Sequence, residues 1–153
     1  MSIRWAVVET TNGEVLGVHS LSSSAYTDGE EYESGYIIKN MSSVSNPESY
    51  IDEKYWTGSA WADKPTKTGE YYKFVDGSWI LDSERLWDEI RRLRTKDLEA
   101  SDWAVVLDTP LSTSQLTEVK SYRTSLRNIP QNAASNVDHP DDIVWPTPPS
   151  CLA

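Results

Sequence analysis

The hydrophobic period of the chain changes at Asp82, and this change constrains the fold more than any other feature. Before it, apolar residues come in short runs punctuated by glycine, the texture of strands and turns; after it they recur every three to four residues, the period of a helix packed on one face. In "DSERLWDEIRRLRTKDL", Leu86, Ile90, Leu93 and Asp97 share one face and Trp87, Arg91, Arg94 and Leu98 the adjacent one, with Asp82 or Ser83 available as N-cap. The spacing predicts an amphipathic helix of roughly four turns. A second helix is predicted in "PLSTSQLTEVKSYRTSLRNIP": Ser112 and Gln115 have capping-box spacing, Leu116, Val119, Tyr122, Leu126 and Ile129 form a stripe, and Pro130 ends it. The link "EASDWAVVLDT" is long enough to reverse the chain and lay the helices side by side. The polar "QNAASNVDHPDD" that follows reads as irregular.

Ahead of Asp82, "RWAVVET" and "EVLGVHS" are β-rich runs joined through Asn12-Gly13, a hairpin signal because both residues tolerate positive φ. The serine-rich, acidic "SLSSSAYTDGEEYES" reads as a loop and "GYIIKNM" as a strand. "YWTGSAW" and "FVDGSWI" form an imperfect repeat: a strand, a turn through Gly58-Ser59 or Asp76-Gly77-Ser78, and a second strand opening with Trp61 or Trp79. Aliphatic residues are few here, so Trp56, Trp61 and Trp79, with Tyr55, Tyr71 and Tyr72, are expected to supply the core or a protein interface. A sugar-stacking platform that binds glycans is the competing reading. The expected architecture is α+β: a small antiparallel β lobe over residues 1–82, then a two-helix hairpin and an extended proline-containing tail over 83–153.

With 14 basic against 24 acidic residues the net charge is −10, which repels phosphate backbones and argues against nucleic-acid binding. The basic cluster "RLWDEIRRLRTK" is interleaved with Glu84, Asp88 and Glu89 at helical spacing, as on a solvated face. No apolar run approaches the length needed to cross a bilayer, and "MSIRWAVVET" does not read as a signal peptide, so no membrane partner is expected. Cys151 has no second cysteine for a disulfide or a zinc site. His139, Asp141 and Asp142 share a loop without further ligands, and His19 lies apart in a strand, so no metal is expected. There is no Gly-x-Ser-x-Gly elbow, and the pairs Glu30-Glu31 and Asp52-Glu53 are adjacent residues that face apart. The expectation is a non-enzyme without a cofactor.

One ordered set of residues is similar to the tail assembly chaperone family of bacteriophages: Ser101-Asp102-Trp103 after a helix, Tyr122-Arg123, Leu126-Arg127 and Ile129-Pro130 at the end of a second, then Trp145-Pro146 and Pro149. The resemblance spans about residues 83–149 and departs from the family pattern at Val119, where tryptophan is common, and at Asp97, where an aliphatic residue is usual. It implies a tail assembly protein that binds and holds a tail fibre or baseplate protein in the host cytoplasm. A permanent adaptor retained in the virion tail is the alternative, and self-association stays open. Partner-binding or tail-docking candidates are Trp103, Tyr122, Arg123, Arg127 and Trp145, with Trp56, Trp61 and Trp79 in the β lobe. Pro146, Pro148 and Pro149 favour an extended tail with little entropy left to lose on docking. Such a strap would lay Trp145 in a furrow lined by Leu86, Ile90, Leu93, Leu116, Val119 and Leu126, with Arg123 and Arg127 framing it and able to meet the indole or Asp102.

Overall fold

The computed structural model describes residues 1–152. The α+β chain divides into two units, Met1–Thr68 with Tyr72–Ile80, and Gly69–Tyr71 with the chain from Leu81 onward.

In the first unit β1 (Ser2–Glu9), β2 (Val15–Ser22), β3 (Glu31–Glu33) and β4 (Tyr36–Asn40) form an antiparallel sheet in the order β2-β1-β4-β3. Strand β1 lies inside the sheet with both faces covered, so Trp5, Ala6, Val7 and Val8 are all buried and its sequence is a continuous apolar run rather than an alternation. Ala6 and Val8 join Val15 and Met41 in a core flanked by Ile51, Trp56 and Trp61. Trp5 donates its indole N–H to the Ser22 carbonyl at 3.2 Å.

The expected hairpin through Asn12-Gly13 forms. Its loop is residues 10–13, closed by Glu9 N–H to the Glu14 carbonyl and Gly13 N–H to the Glu9 carbonyl, both at 2.9 Å. Only Gly13 takes a positive φ, of 75°. The Asn12 side chain instead accepts from Glu14 N–H at 3.1 Å, a local bond that Asn offers turns of several shapes. The serine-rich stretch is not all loop either, because β3 pairs with β4 inside it. All three β3 side chains are exposed, so pairing rests on backbone bonds and leaves no hydrophobic signature. A 3-10 turn, Pro47–Ser49, and the one-turn α1 (Tyr50–Glu53) then bring Tyr50 and Ile51 onto the core.

Both small hairpins form. In the first, β5 (Lys54–Trp56) pairs with β6 (Trp61–Asp63), setting Trp56 opposite Trp61. The second joins β7 (Tyr72–Val75) to β8 (Ser78–Leu81) through Asp76 and Gly77, at φ 48° and 81°. Two left-handed central residues match the twist of the flanking strands, so Ser78 opens the second strand instead of belonging to the turn.

The second unit is built on α2 (Ser83–Ala100) and α3 (Thr113–Arg127). Asp82 caps α2 by accepting from Arg85 N–H, and the Ser112–Gln115 capping box starts α3 with both reciprocal bonds. Leu86 and Ile90 from α2 meet Tyr122 and Leu126 from α3 in a core that also holds Tyr71, Ile129, Val137 and Ile143. The second helix ends at Arg127 with Asn128 as its C-cap, ahead of the expected stop at Pro130. Pro130 falls in the first turn of a short α4 (Ile129–Asn132), where its missing N–H is harmless. The segment expected to be irregular therefore contains the end of α4, the buried Val137 and a 3-10 turn, Pro140–Asp142. No helix among the described residues is long and apolar enough to cross a membrane.

Gly13 bears most directly on the stability of the first unit. Trp56 N–H donates to the Gly13 carbonyl at 2.8 Å, and a Cβ on Gly13 would lie 1.9 Å from the Trp56 carbonyl oxygen. Gly13→Ala is expected to destabilise this unit by about 3 kcal/mol, combining left-handed strain with overpacking. Thr11→Ala, at an exposed position of the same loop, should change urea unfolding by less than about 0.5 kcal/mol.

Candidate functional site

A helix that ends inside a protein must find partners for its last carbonyls. At the end of α2 that partner is Arg123, which reaches across from α3. One guanidinium nitrogen, Nη1, donates to the Leu98 carbonyl and to Ser101 Oγ, both at 2.6 Å, and Nη2 donates to Asp102 Oδ1 at 2.7 Å. Ser101 is fully buried and shares its own hydroxyl proton between the Leu98 and Asp97 carbonyls, at 2.9 and 3.1 Å. Arg123 is itself buried, while the Asp102 carboxylate remains largely in water. The cation thus sits at the negative end of the α2 macrodipole and adds a charge-assisted bond to the Leu98 carbonyl, which Ser101 also caps. A planar fork suits this task, since a lysine ammonium is a single point.

Beyond the clamp the chain makes a 3-10 turn, Asp102–Val105, pinned by the buried Ala104. Its other apolar side chains face outward. Trp103 is 45% exposed, Val105 and Val106 are comparably open, and Leu107 is fully in water. Four large apolar residues within five positions form a ledge on a turn whose backbone is held from beneath. Exposed apolar groups scattered singly need no explanation, whereas a contiguous set marks an interaction surface.

The candidates from the sequence are placed as follows. Trp103 is on the ledge, Arg123 is the clamp beneath it, and Arg127 is exposed one turn further along α3. Tyr122 is buried in the core, where burial, with the Asp97 carboxylate adding to it, pushes the phenol above its ordinary value and keeps it neutral. Trp145 is partly buried against the same core and donates to the Pro140 carbonyl at 3.1 Å, but the fully inserted residues of that segment are Val137 and Ile143. In the first unit Trp56 and Trp61 pack edge to face at 5.2 Å, Tyr50 meets Trp61 at 5.0 Å, and Trp79 meets Phe74 at 5.3 Å. Lys39 and Lys67 lie over the Trp56 and Trp79 rings. These rings are engaged with their own unit. Val105, Val106 and Leu107 fall in the expected link between the helices; their signal in the sequence is an apolar run without helical period between one helix end and the next N-cap.

The loop before the tail is also ordered by local bonds. His139 Nδ1 accepts from Asp141 N–H at 3.2 Å, and Asp142 accepts from the backbone N–H groups of Asp138 and His139 at 3.1 and 2.9 Å. Those two backbone donors hold the Asp142 carboxyl below the ordinary carboxylate range. Among the described residues no three His, Cys, Asp or Glu side chains converge as a metal site.

Residues 87–150 match the family model described as phage tail assembly chaperone protein. The matched region holds the clamp, the ledge, α3 and the tail, and leaves the first unit outside it. The match makes this region similar to that family and covers under half of the chain. No curated protein and no solved structure matches the chain.

Arg123→Ala is expected to cost about 3 kcal/mol in urea unfolding of the second unit, since it removes three charge-assisted bonds that tie α3 to the end of α2 and leaves a gap where the side chain was buried, and Arg123→Lys should recover only part of it. Arg127→Ala, at an exposed position, should stay within about 0.5 kcal/mol. For Asp142 the depressed folded value means its contribution is present above the unfolded carboxylate value near about 4 and is lost as pH falls through the lower folded one. Asp142→Asn should therefore flatten the acid arm of a melting-temperature profile against pH.

Proposed function

We propose that the chain assists phage tail assembly by holding another tail protein, a fibre or baseplate component, against the ledge formed by Trp103, Val105, Val106 and Leu107. The observation that carries this reading is the coincidence of that ledge with the region matching the chaperone family: its apolar side chains are exposed although the turn bearing them is fixed by the buried Arg123. A surface already ordered loses little entropy when a partner covers it, so modest apolar contact suffices for a hold that can later be released. The acidic chain, at net charge −10, keeps itself and its cargo dispersed by mutual repulsion. Its place of work is the cytoplasm of the infected host, where unassembled tail proteins accumulate.

Co-expression with each fibre and baseplate protein of its phage should raise the soluble yield of one of them, and the two should co-purify. Val106→Ser with Leu107→Ser should abolish capture without lowering the melting temperature, because both side chains are already exposed. If no tail protein gains solubility, the chaperone reading fails.

A further inference from the structure

We infer that the segment received by the ledge carries carboxylates beside its apolar residues, and that Lys120 and Arg127 bind them; this rests on the chaperone reading. Val105, Lys120, Arg123, Thr124 and Arg127 line a shallow cavity of about 350 Å³ next to the ledge. The α3 positions 120, 123, 124 and 127 recur at three- and four-residue intervals, which puts them on one helix face. Arg123 is committed to Asp102 and the end of α2. Among the described residues Lys120 and Arg127 form no ion pair, as is also true of Lys67, Arg94 and Lys96, whereas Arg85, Arg91 and Arg92 are paired with Glu70, Asp88 and Glu89; Lys120 and Arg127 alone of these line the cavity beside the ledge. Unpaired neighbouring cations run against the composition of a chain with 24 acidic and 14 basic residues.

The partner's chemistry follows from desolvation. An apolar segment covering Val105 and the ledge also screens the two cations from water, and a screened charge without a counter-charge opposes binding. A neutral segment leaves that cost standing and a basic one adds repulsion. An acidic one removes it and supplies charge-assisted hydrogen bonds to the Arg127 fork. Phosphate polymers would supply negative charge too, but they meet the repulsion of the whole chain and offer no apolar match to the ledge.

The test uses the full chain and three sets of short fluorescent peptides that share a Leu/Val/Phe core and differ only in flanking Glu, Gln or Lys, read by anisotropy. The Glu set should bind about tenfold more tightly than the Gln set, with the advantage lost at high salt. The double variant Lys120→Glu, Arg127→Glu should shift the preference to the Lys set at an unchanged melting temperature. Equal binding of the Glu and Gln sets, or a variant that keeps the Glu preference, overturns the inference. So does a concentration-dependent dimer broken by Leu107→Ser, which would make a second copy the occupant. If the double variant still rescues the tail protein as wild type does while the Val106, Leu107 variant cannot, the carboxylate assignment falls and the chaperone reading stands. If wild type rescues no tail protein, the reading beneath the inference is what has failed.

Discussion

The buried guanidinium of Arg123 is the interaction on which the second unit depends. A charged group removed from water is costly unless it is fully paired, and here the Leu98 carbonyl, the Ser101 hydroxyl and the Asp102 carboxylate together meet that demand. The same bonds end α2, tie it to α3 and fix the turn between them. Ser101 must be small to be buried at the helix end, and its hydroxyl both accepts from the arginine and donates to α2. Because the turn is held from beneath by polar bonds, its apolar side chains are free to face outward. The ledge needs no core of its own.

The first unit solves a different problem. Its strands are short and its aliphatics few, so rings do the packing. Tyr50, Trp61 and Trp56 form an edge-to-face series, as do Tyr55, Phe74 and Trp79, and large rings bury much area per residue. Lysines lying over the Trp56 and Trp79 faces add a cation–π contribution and take up surface that a sugar ring would otherwise use. Rings packed this closely leave little room for main-chain adjustment, and the contact of Gly13 with the Trp56 backbone is where that restriction is most severe.

In the tail, prolines and anchors divide the work. Pro146, Pro148 and Pro149 lie in a stretch with neither helix nor strand, as stiff residues without an N–H donor require. Insertion into the core falls to Ile143 and Val137, whose compact side chains fit beside Ile129 and Leu126. Trp145 packs partly against the same core and keeps its indole N–H bonded to the Pro140 carbonyl.

The local features were legible in the sequence because short-range physics encodes them. The helical period from Leu86 to Leu98, the Ser112–Gln115 box, the strand runs of β1, β2 and β4 and the two aromatic hairpins all follow from residues a few positions apart. Ser101, Asp102 and Arg123 could be noticed as a recurring pattern, and an Arg123–Asp102 contact could be expected. The burial of Arg123 and its capping of Leu98 could not, because the bonds join residues 21 to 25 positions apart and exist only once α2 and α3 have docked. Strand β3 escaped notice because its pairing is carried by backbone groups, which every sequence has. Tertiary packing also decided which apolar residues stay outside. Val119 and Val106 are chemically identical, yet the first is buried and the second exposed, since burial depends on what the rest of the chain places opposite a side chain.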